Sequence, residues 1–553
     1  MSRLGRGVLV AALGLLLLAQ SGCGTRSCKS GTFFVTVILG GMATDADSVE
    51  AVAALPDGSE LRQRFPWPKG GSSGSLEVDF AAYPDGKSVT VRINAFAGAA
   101  RLATAQTTLT AKPGCSVATV DFSAPIPDGG AGCNPDTDTK CSSDGKSVQT
   151  CRSDGSGYDI TKCASGCASL SGAPRCQVLQ PSGPAEPADS STATAMATIT
   201  ADTTFDTESG LISGGFTRAA ATGLGDGVTF RVASQTGSTV RTGIFGFASL
   251  SVMTGATLHF TGKNPVVIVV NGDALLAGNV DLVGDCTMPP TVGSQIGGVW
   301  NDANNGNGGG VRGGAVGATN TGAGGGGGGG YGDVGGRGGN GTAAGGGAGG
   351  MAFGDLTVAD PLLIGGSGGG SGGANAASGA GGKGGGAFQL TANGALTLRG
   401  LINAGGCGGR PGAAAGAGGG GGAGGVIFLE ATTIQLGTGA FVTVNGGGGG
   451  GGDNGMAGGS GSADANHATG GTGGAQGSRG GDGGASGGAQ GTSGTDPSGS
   501  PRYAGGGGGA TGRIGFRTQS GMLTDMGGTT SPVRGETNTS GNPLVSLTRA
   551  TYQ

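Results

Sequence analysis

The feature that most constrains this fold is a unit of about 22 residues that recurs in the C-terminal half of the chain. One copy reads Asn264-PVVIVVNGDALLAGNVDLVGD. A second reads Gly385-GAFQLTANGALTLRGLINAGG, and a third Gly424-GVIFLEATTIQLGTGAFVTVNGG. A shortened fourth begins at Gly512 with RIGFRTQ. Each full copy holds three short apolar runs parted by turn signals such as Asn271-Gly272 and Asn393-Gly394. Those dipeptides also suit ordinary hairpins, but the whole three-run unit repeats, and that favours stacking of each run on its counterpart. One such unit cannot bury its apolar face alone, whereas stacked units share a continuous core. Val266–Val270, Phe388–Leu390, Val426–Leu429 and Ile514–Phe516 are expected to form one sheet. Residues 210–262 are expected to add earlier, less regular coils, with strands at Ala248–Val252 and Thr257–Phe260. The predicted architecture for 196–553 is a right-handed parallel β-helix-like solenoid.

Two cysteines test that alignment. Cys286 lies 22 positions after Asn264, and Cys407 lies 22 positions after Gly385. Stacked strands lie about 4.8 Å apart, close enough for a bridge when the side chains face one another. A Cys286–Cys407 disulfide is predicted.

Glycine enters the argument here. Of the 135 glycines, 89 fall in residues 301–515. They form glycine-rich insertions at about 285–384, 407–423 and 447–510, all leaving after the third strand of a coil and ending before the first strand of the next. They should therefore project from one face or edge. Collagen is excluded, because no three-residue glycine period exists and prolines in 301–515 are limited to Pro361, Pro411, Pro497 and Pro501. Two readings stay open. Glycine loses the most backbone entropy on ordering, which favours flexible linkers. Alternatively, extended strands without side chains can pack laterally in polyproline-II conformation. Gly324–Gly330, Gly418–Gly422, Gly446–Gly452 and Gly505–Gly509 are long enough to do so. That second reading resembles the glycine-rich domains of some phage tail adhesins and of some receptor kinases.

The first half has a different character. In residues 32–122, alternation is clear in Leu76-Glu77-Val78-Asp79-Phe80 and in Val89-Thr90-Val91-Arg92-Ile93. Pro56-Asp57-Gly58 and Pro84-Asp85-Gly86 are turn signals. About seven short strands suggest an antiparallel β-sandwich over 23–125, similar in class to immunoglobulin and fibronectin type III domains. Residues 126–177 carry Cys133, Cys141, Cys151, Cys163, Cys167 and Cys176. So short a segment needs disulfides to fold, and the pairing stays open among these six. Cys28 and Cys115 each precede a strand-like run and form another candidate pair. Residues 178–195, rich in Pro, Ser and Ala, read as a linker.

At the N-terminus, Arg3 and Arg6 precede an uncharged, mostly aliphatic run from Val8 to Ala19. It is too short to span a bilayer and reads as a signal peptide over 1–22. Ser21-Gly22-Cys23 resembles the lipobox of bacterial lipoproteins, with Gln20 departing from the usual leucine. The resemblance implies lipidation of Cys23, and Gly24 rather than an aspartate after it implies the outer membrane, on its periplasmic or extracellular side. The chain has 11 cysteines, and lipidation of Cys23 leaves an even number for disulfides.

Little points to catalysis. The net charge is −4 and no basic patch interleaves with aromatics, so nucleic acid is excluded as a partner. His259 and His467 stand in different contexts, and neither lies near a nucleophile elbow. Asp273, Asp281, Asp285 and Glu430 form no recurring carboxylate pair of the glycosidase kind. The nonapeptide-like run ending at Asp464 does not repeat, and Asn134, Asp136 and Asp138 suit a polar loop, so no metal or other cofactor is expected. The expected protein is a non-enzymatic, lipid-anchored structural or adhesive envelope protein. The alternative is a carbohydrate-binding or polysaccharide-processing β-helix protein. Trp300, Tyr331 and Tyr503 are the few aromatics it would have for sugar stacking.

Overall fold

The computed structural model describes residues 32–122, 138–286 and 322–553, apart from 40–42, 44, 55–59, 80–85, 99, 111–114, 153–156, 164, 171–172, 284–285, 343, 359–360, 374–376 and 499–501. The signal segment, Cys23, Cys28, Cys133, Asn134, Asp136, Asp285 and Trp300 lie outside the described residues. The described residues are mainly β, with 40% strand and 1% helix. It divides into two compact units, 1–138 with 150–159, and 139–149 with 160–553.

In the first unit, β1 (Thr32–Ile38), β2 (Ser48–Ala54), β3 (Glu60–Pro66), β4 (Ser73–Asp79), β5 (Ser88–Ala97), β6 (Ala100–Thr110) and β7 (Cys115–Asp121) form two sheets. Their orders are β4-β1-β7 and β3-β2-β5-β6. The period-two pattern explains the shared core. Val89, Val91, Ile93 and Ala95 of β5 point inward, where they meet Val35, Val37, Val49, Ala51, Leu76 and Val78. Trp67 closes this core over Gly74, where a Cβ would lie 2.5 Å from the indole. The strands that follow Cys28 and begin at Cys115 are expected to run parallel, and β7 does pair parallel with β1, while the other pairings are antiparallel.

The second unit contains three stacks of parallel strands. The first stack comprises Arg241–Phe247, Val266–Val270, the N-terminal half of Ala387–Leu398, the N-terminal half of Val426–Leu436, Arg513–Thr518 and Val545–Arg549. The second joins Met196–Ile199, Ser249–Val252, Ala274–Leu276, the C-terminal halves of the two long strands, and Thr524–Asp525. The third joins Thr203–Asp206, Thr257–Thr261, Asn279–Asp281, Leu401–Asn403, Phe441–Thr443 and Thr529–Ser531. The 22-residue unit thus supplies one strand to each stack. Inward residues alternate with outward ones along every strand, and the inward set forms one apolar core. It includes Phe245, Phe247, Ile268, Phe388, Leu390, Leu396, Leu429, Ile434 and Phe516.

Residues 212–240 correct the expectation of further coils. Gly223–Gly225, Val228–Ser234 and Arg241–Phe247 pair antiparallel. Arg218, 1% exposed, closes this end. Its guanidinium donates to the carbonyls of Gly210, Ala219, Ala221, Gly223 and Val228. Burial lowers its pKa, and the carbonyl cage replaces the lost water.

Residues 178–195 are also corrected. They form a packed strap rather than a linker. Leu179–Gln180 pairs antiparallel with Thr551–Tyr552. Leu179, Ser182, Ala185, Asp189 and Ser190 are buried. Arg231 Nη2 donates to Asp189 Oδ2 at 2.7 Å and to Pro184 O at 2.9 Å. The composition that suggested a linker lacks bulky side chains, yet its polar groups find partners on the first stack and on Val228–Ser234.

The glycine tracts decide between the two readings left open. They form extended strands packed side by side. Gly324–Gly330 is buried throughout. Gly325 and Gly328 donate to Gly339 and Gly336, and Gly326 and Gly329 donate to Gly418 and Gly421. The carbonyls of Gly325 and Gly328 accept from Gly347 and Gly350, those of Gly324 and Gly327 from Gly373 and Gly370, and those of Gly326 and Gly329 from Gly507 and Ala510. Partners change with a period of three residues, as expected of a helix with three residues per turn. A Cβ on Gly325 would sit 1.9 Å from the Gly505 carbonyl oxygen, and one on Gly420 would sit 2.1 Å from that of Gly327. Glycine is required here for close approach between backbones.

Candidate functional site

The cysteines are positioned by these elements. Cys286 and Cys407, the pair singled out by the 22-residue offset, are joined by a disulfide with Cα atoms 5.5 Å apart. The bond ties the end of the first copy of the unit to the end of the second, across the large insertion and the second copy itself. In the six-cysteine segment, Cys141 pairs with Cys167 and Cys163 with Cys176. Cys167 and Cys176 also face each other in the hairpin of Cys167–Leu170 with Ala173–Cys176. Cys151 is disulfide-bonded. Cys115 begins β7.

The residues considered for chemistry are dispersed. His259 lies on the outward face of the third stack with Nδ1 3.6 Å from Asp281 Oδ2, both side chains about two-fifths exposed. His467 stands in the glycine bundle, its Nδ1 2.7 Å from the Gly483 carbonyl. Asp464 accepts from the Asn466 backbone and the Ser462 hydroxyl, which closes a local loop. Tyr331 and Tyr503 are 0% and 4% exposed, so neither serves as a sugar-stacking platform. Tyr331 instead packs edge-on against Phe353 and joins Leu356 and Leu363 over Val267, Val426 and Phe428. Gly515 leaves room for the Phe428 ring, since a Cβ there would lie 2.3 Å from it.

Glu430 is brought into a cluster that no spacing in the sequence announces. It is 1% exposed, on the outward face of the first stack beneath the strap. It accepts from the Ser182 backbone N–H, Gln389 Nε2 and Thr391 Oγ1, each at 2.9 Å. The Ser182 hydroxyl also donates to it, and Arg517 Nη1 lies 3.9 Å away. Burial raises its pKa against these favourable contacts. The cluster fastens the strap to the stack. A signal was present in hindsight: Glu430 interrupts the apolar run Val426–Leu429, and Arg517 follows Phe516 at the matching rung.

The outward face of the second stack is different. The strap and the glycine bundle cover the first stack, while the second stack leaves a cavity of about 300 Å³ along three successive strands. Ser249, Ser251, Asp273, Leu275, Thr397 and Arg399 line it. Asp273 Oδ1 accepts from the Ala395 backbone N–H at 2.7 Å. Arg399 is exposed and makes no ion pair among the described residues. No helix among the described residues is long and apolar enough to cross a membrane. No protein-family model, curated protein or solved structure matches the chain.

Proposed function

We propose that this chain is a non-enzymatic cell-envelope lipoprotein, anchored in the outer membrane through lipidated Cys23, with a structural or adhesive role. In this reading, 196–553 is a right-handed parallel β-helix-like solenoid, and the glycine bundle is its projecting surface. Three parallel stacks fed in turn by one repeated unit support the solenoid. The observation that carries the functional reading is the bundle itself. Its buried backbone is hydrogen-bonded on all sides, so it presents a broad, stiff surface built at low side-chain cost. A stiff surface loses little entropy when it meets a partner.

Metabolic labelling with palmitate, cell fractionation and protease shaving of intact cells test the proposal together. The wild-type chain should incorporate label and sediment with the outer membrane, and Cys23→Ser should lose both properties. An unlabelled, freely soluble wild type would end the anchoring reading. The carbohydrate-binding alternative is favoured by one observation, the open groove on the second stack.

A further inference from the structure

We propose that the outward face of the second stack is a binding track for a linear polysaccharide. The inference deepens the carbohydrate-binding reading by naming the form of its ligand and the strands that take it, and it rests on that reading.

The register of the strands places outward side chains in two lanes. One lane runs Thr198, Ser251, Leu275, Thr397, Gln435 and Thr524. The other takes Met196, Ser249, Asp273, Ala395 and Thr433, the residues that precede the first lane by two positions on each strand. Hydroxyl and amide groups therefore recur at the strand spacing of about 4.8 Å. An extended chain of pyranose rings advances by a similar step, so successive sugars can meet equivalent groups on successive strands. The cavity of about 300 Å³ lies over three successive strands of the two lanes. Lining it are the guanidinium of Arg399, which makes no ion pair among the described residues, and the carboxylate of Asp273, whose Oδ1 accepts from the Ala395 backbone N–H. Leu275 offers an apolar patch between them for the C–H face of a ring.

The first stack cannot serve, because its outward face is packed against Tyr331, Leu356, Leu363 and Ala185. The third stack is partly closed, with Thr443 and Ser531 at 0% exposure. Among the lanes no Trp or Tyr supplies stacking, so recognition comes from hydrogen bonds that are individually modest. Affinity must then grow with the number of strands engaged, and a short oligosaccharide should bind poorly.

The test uses the purified full-length chain in detergent, titrated with a β-1,4-glucan hexamer, a polygalacturonate hexamer and the corresponding dimers. One hexamer should bind saturably and at least tenfold more tightly than its dimer. Thr397→Arg should weaken that binding at least tenfold, with the Cys286–Cys407 bond and the far-ultraviolet spectrum unchanged. Thr469→Arg, on the exposed face of the bundle, should leave it unaltered. Absence of saturable binding by either hexamer at millimolar concentration overturns the track. So does binding lost in Thr469→Arg but kept in Thr397→Arg. Either result leaves the envelope reading standing, because fractionation and labelling judge that separately.

Discussion

The stacked strands and the glycine bundle are two cores built on opposite terms. In the stacks, backbone groups pair along the sheets and the space between is filled by side chains such as Phe388, Leu390 and Phe516. In the bundle there are almost no side chains to fill space, and backbones approach until their carbonyls and amides touch on several sides. The first kind of core gains from apolar area removed from water. The second gains from close packing and from the many amides it pairs between strands, against the large entropy cost of fixing glycine. A glycine tract is therefore not a flexible tract by composition alone. What matters is whether neighbouring strands are available at the right distance.

Mutations can break that contrast. The largest effect is expected from Phe516→Ala in the strand core, where loss of a fully buried ring should cost about 3–5 kcal/mol, measured by chemical denaturation. Gly325→Ala in the bundle adds a single methyl yet should cost about 3 kcal/mol by forcing strands apart. Hydrogen exchange should show lost protection across 324–330 with the stacks still protected. If the two variants unfold the same region, the cores are not separable.

The disulfide joins the two regions, and its loss should fall next. Cys286 and Cys407 are separated by 121 positions, so Cys286→Ser with Cys407→Ser should lower stability by about 3 kcal/mol and expose the bundle first to protease.

Glu430 sharpens the comparison at the face where the strap covers the first stack. Its folded pKa lies above the ordinary 4.5, so its contribution is full below 4.5 and is lost as pH rises through the folded value. Arg517 attracts the charged form, and Tyr552 lies close enough to feel it. The melting temperature of the wild type, relative to Glu430→Gln, should therefore fall between acidic and neutral pH. A difference that rises over that range would reverse the assignment.

The smallest effect is the most selective. Gly345 lies on the outer side of the bundle, where the nearest atom to an added Cβ is 3.8 Å away. Gly345→Ala should be tolerated, with a gain of about 0.5 kcal/mol from the stiffer unfolded chain. A loss comparable with that of Gly325→Ala would show that conformation, and not contact, selects glycine in the bundle.

Much of this was legible in the sequence for physical reasons. Period-two alternation in Val89–Ile93 requires one face inward, and a threefold apolar unit that repeats requires stacking to hide it. The equal offsets of Cys286 and Cys407 from their units placed both thiols at one rung. Other features were not legible. Arg218 finds its five carbonyl partners only because residues 210–228 fold around it. Glu430 meets Ser182 across 248 positions, a separation that no local pattern encodes. The strap looked like a linker because its few polar groups have partners only once the first stack exists. The groove on the second stack is equally a product of register, since its lining comes from strands more than 100 residues apart.

Local periodicity is enough to set the repeat, the alternation of inward and outward residues, and the places where glycine interrupts the units. Whether the glycine tracts are ordered is settled by long-range packing alone. Order there depends on neighbours that the chain supplies from distant segments, and a glycine strand carries no side-chain pattern by which to name them.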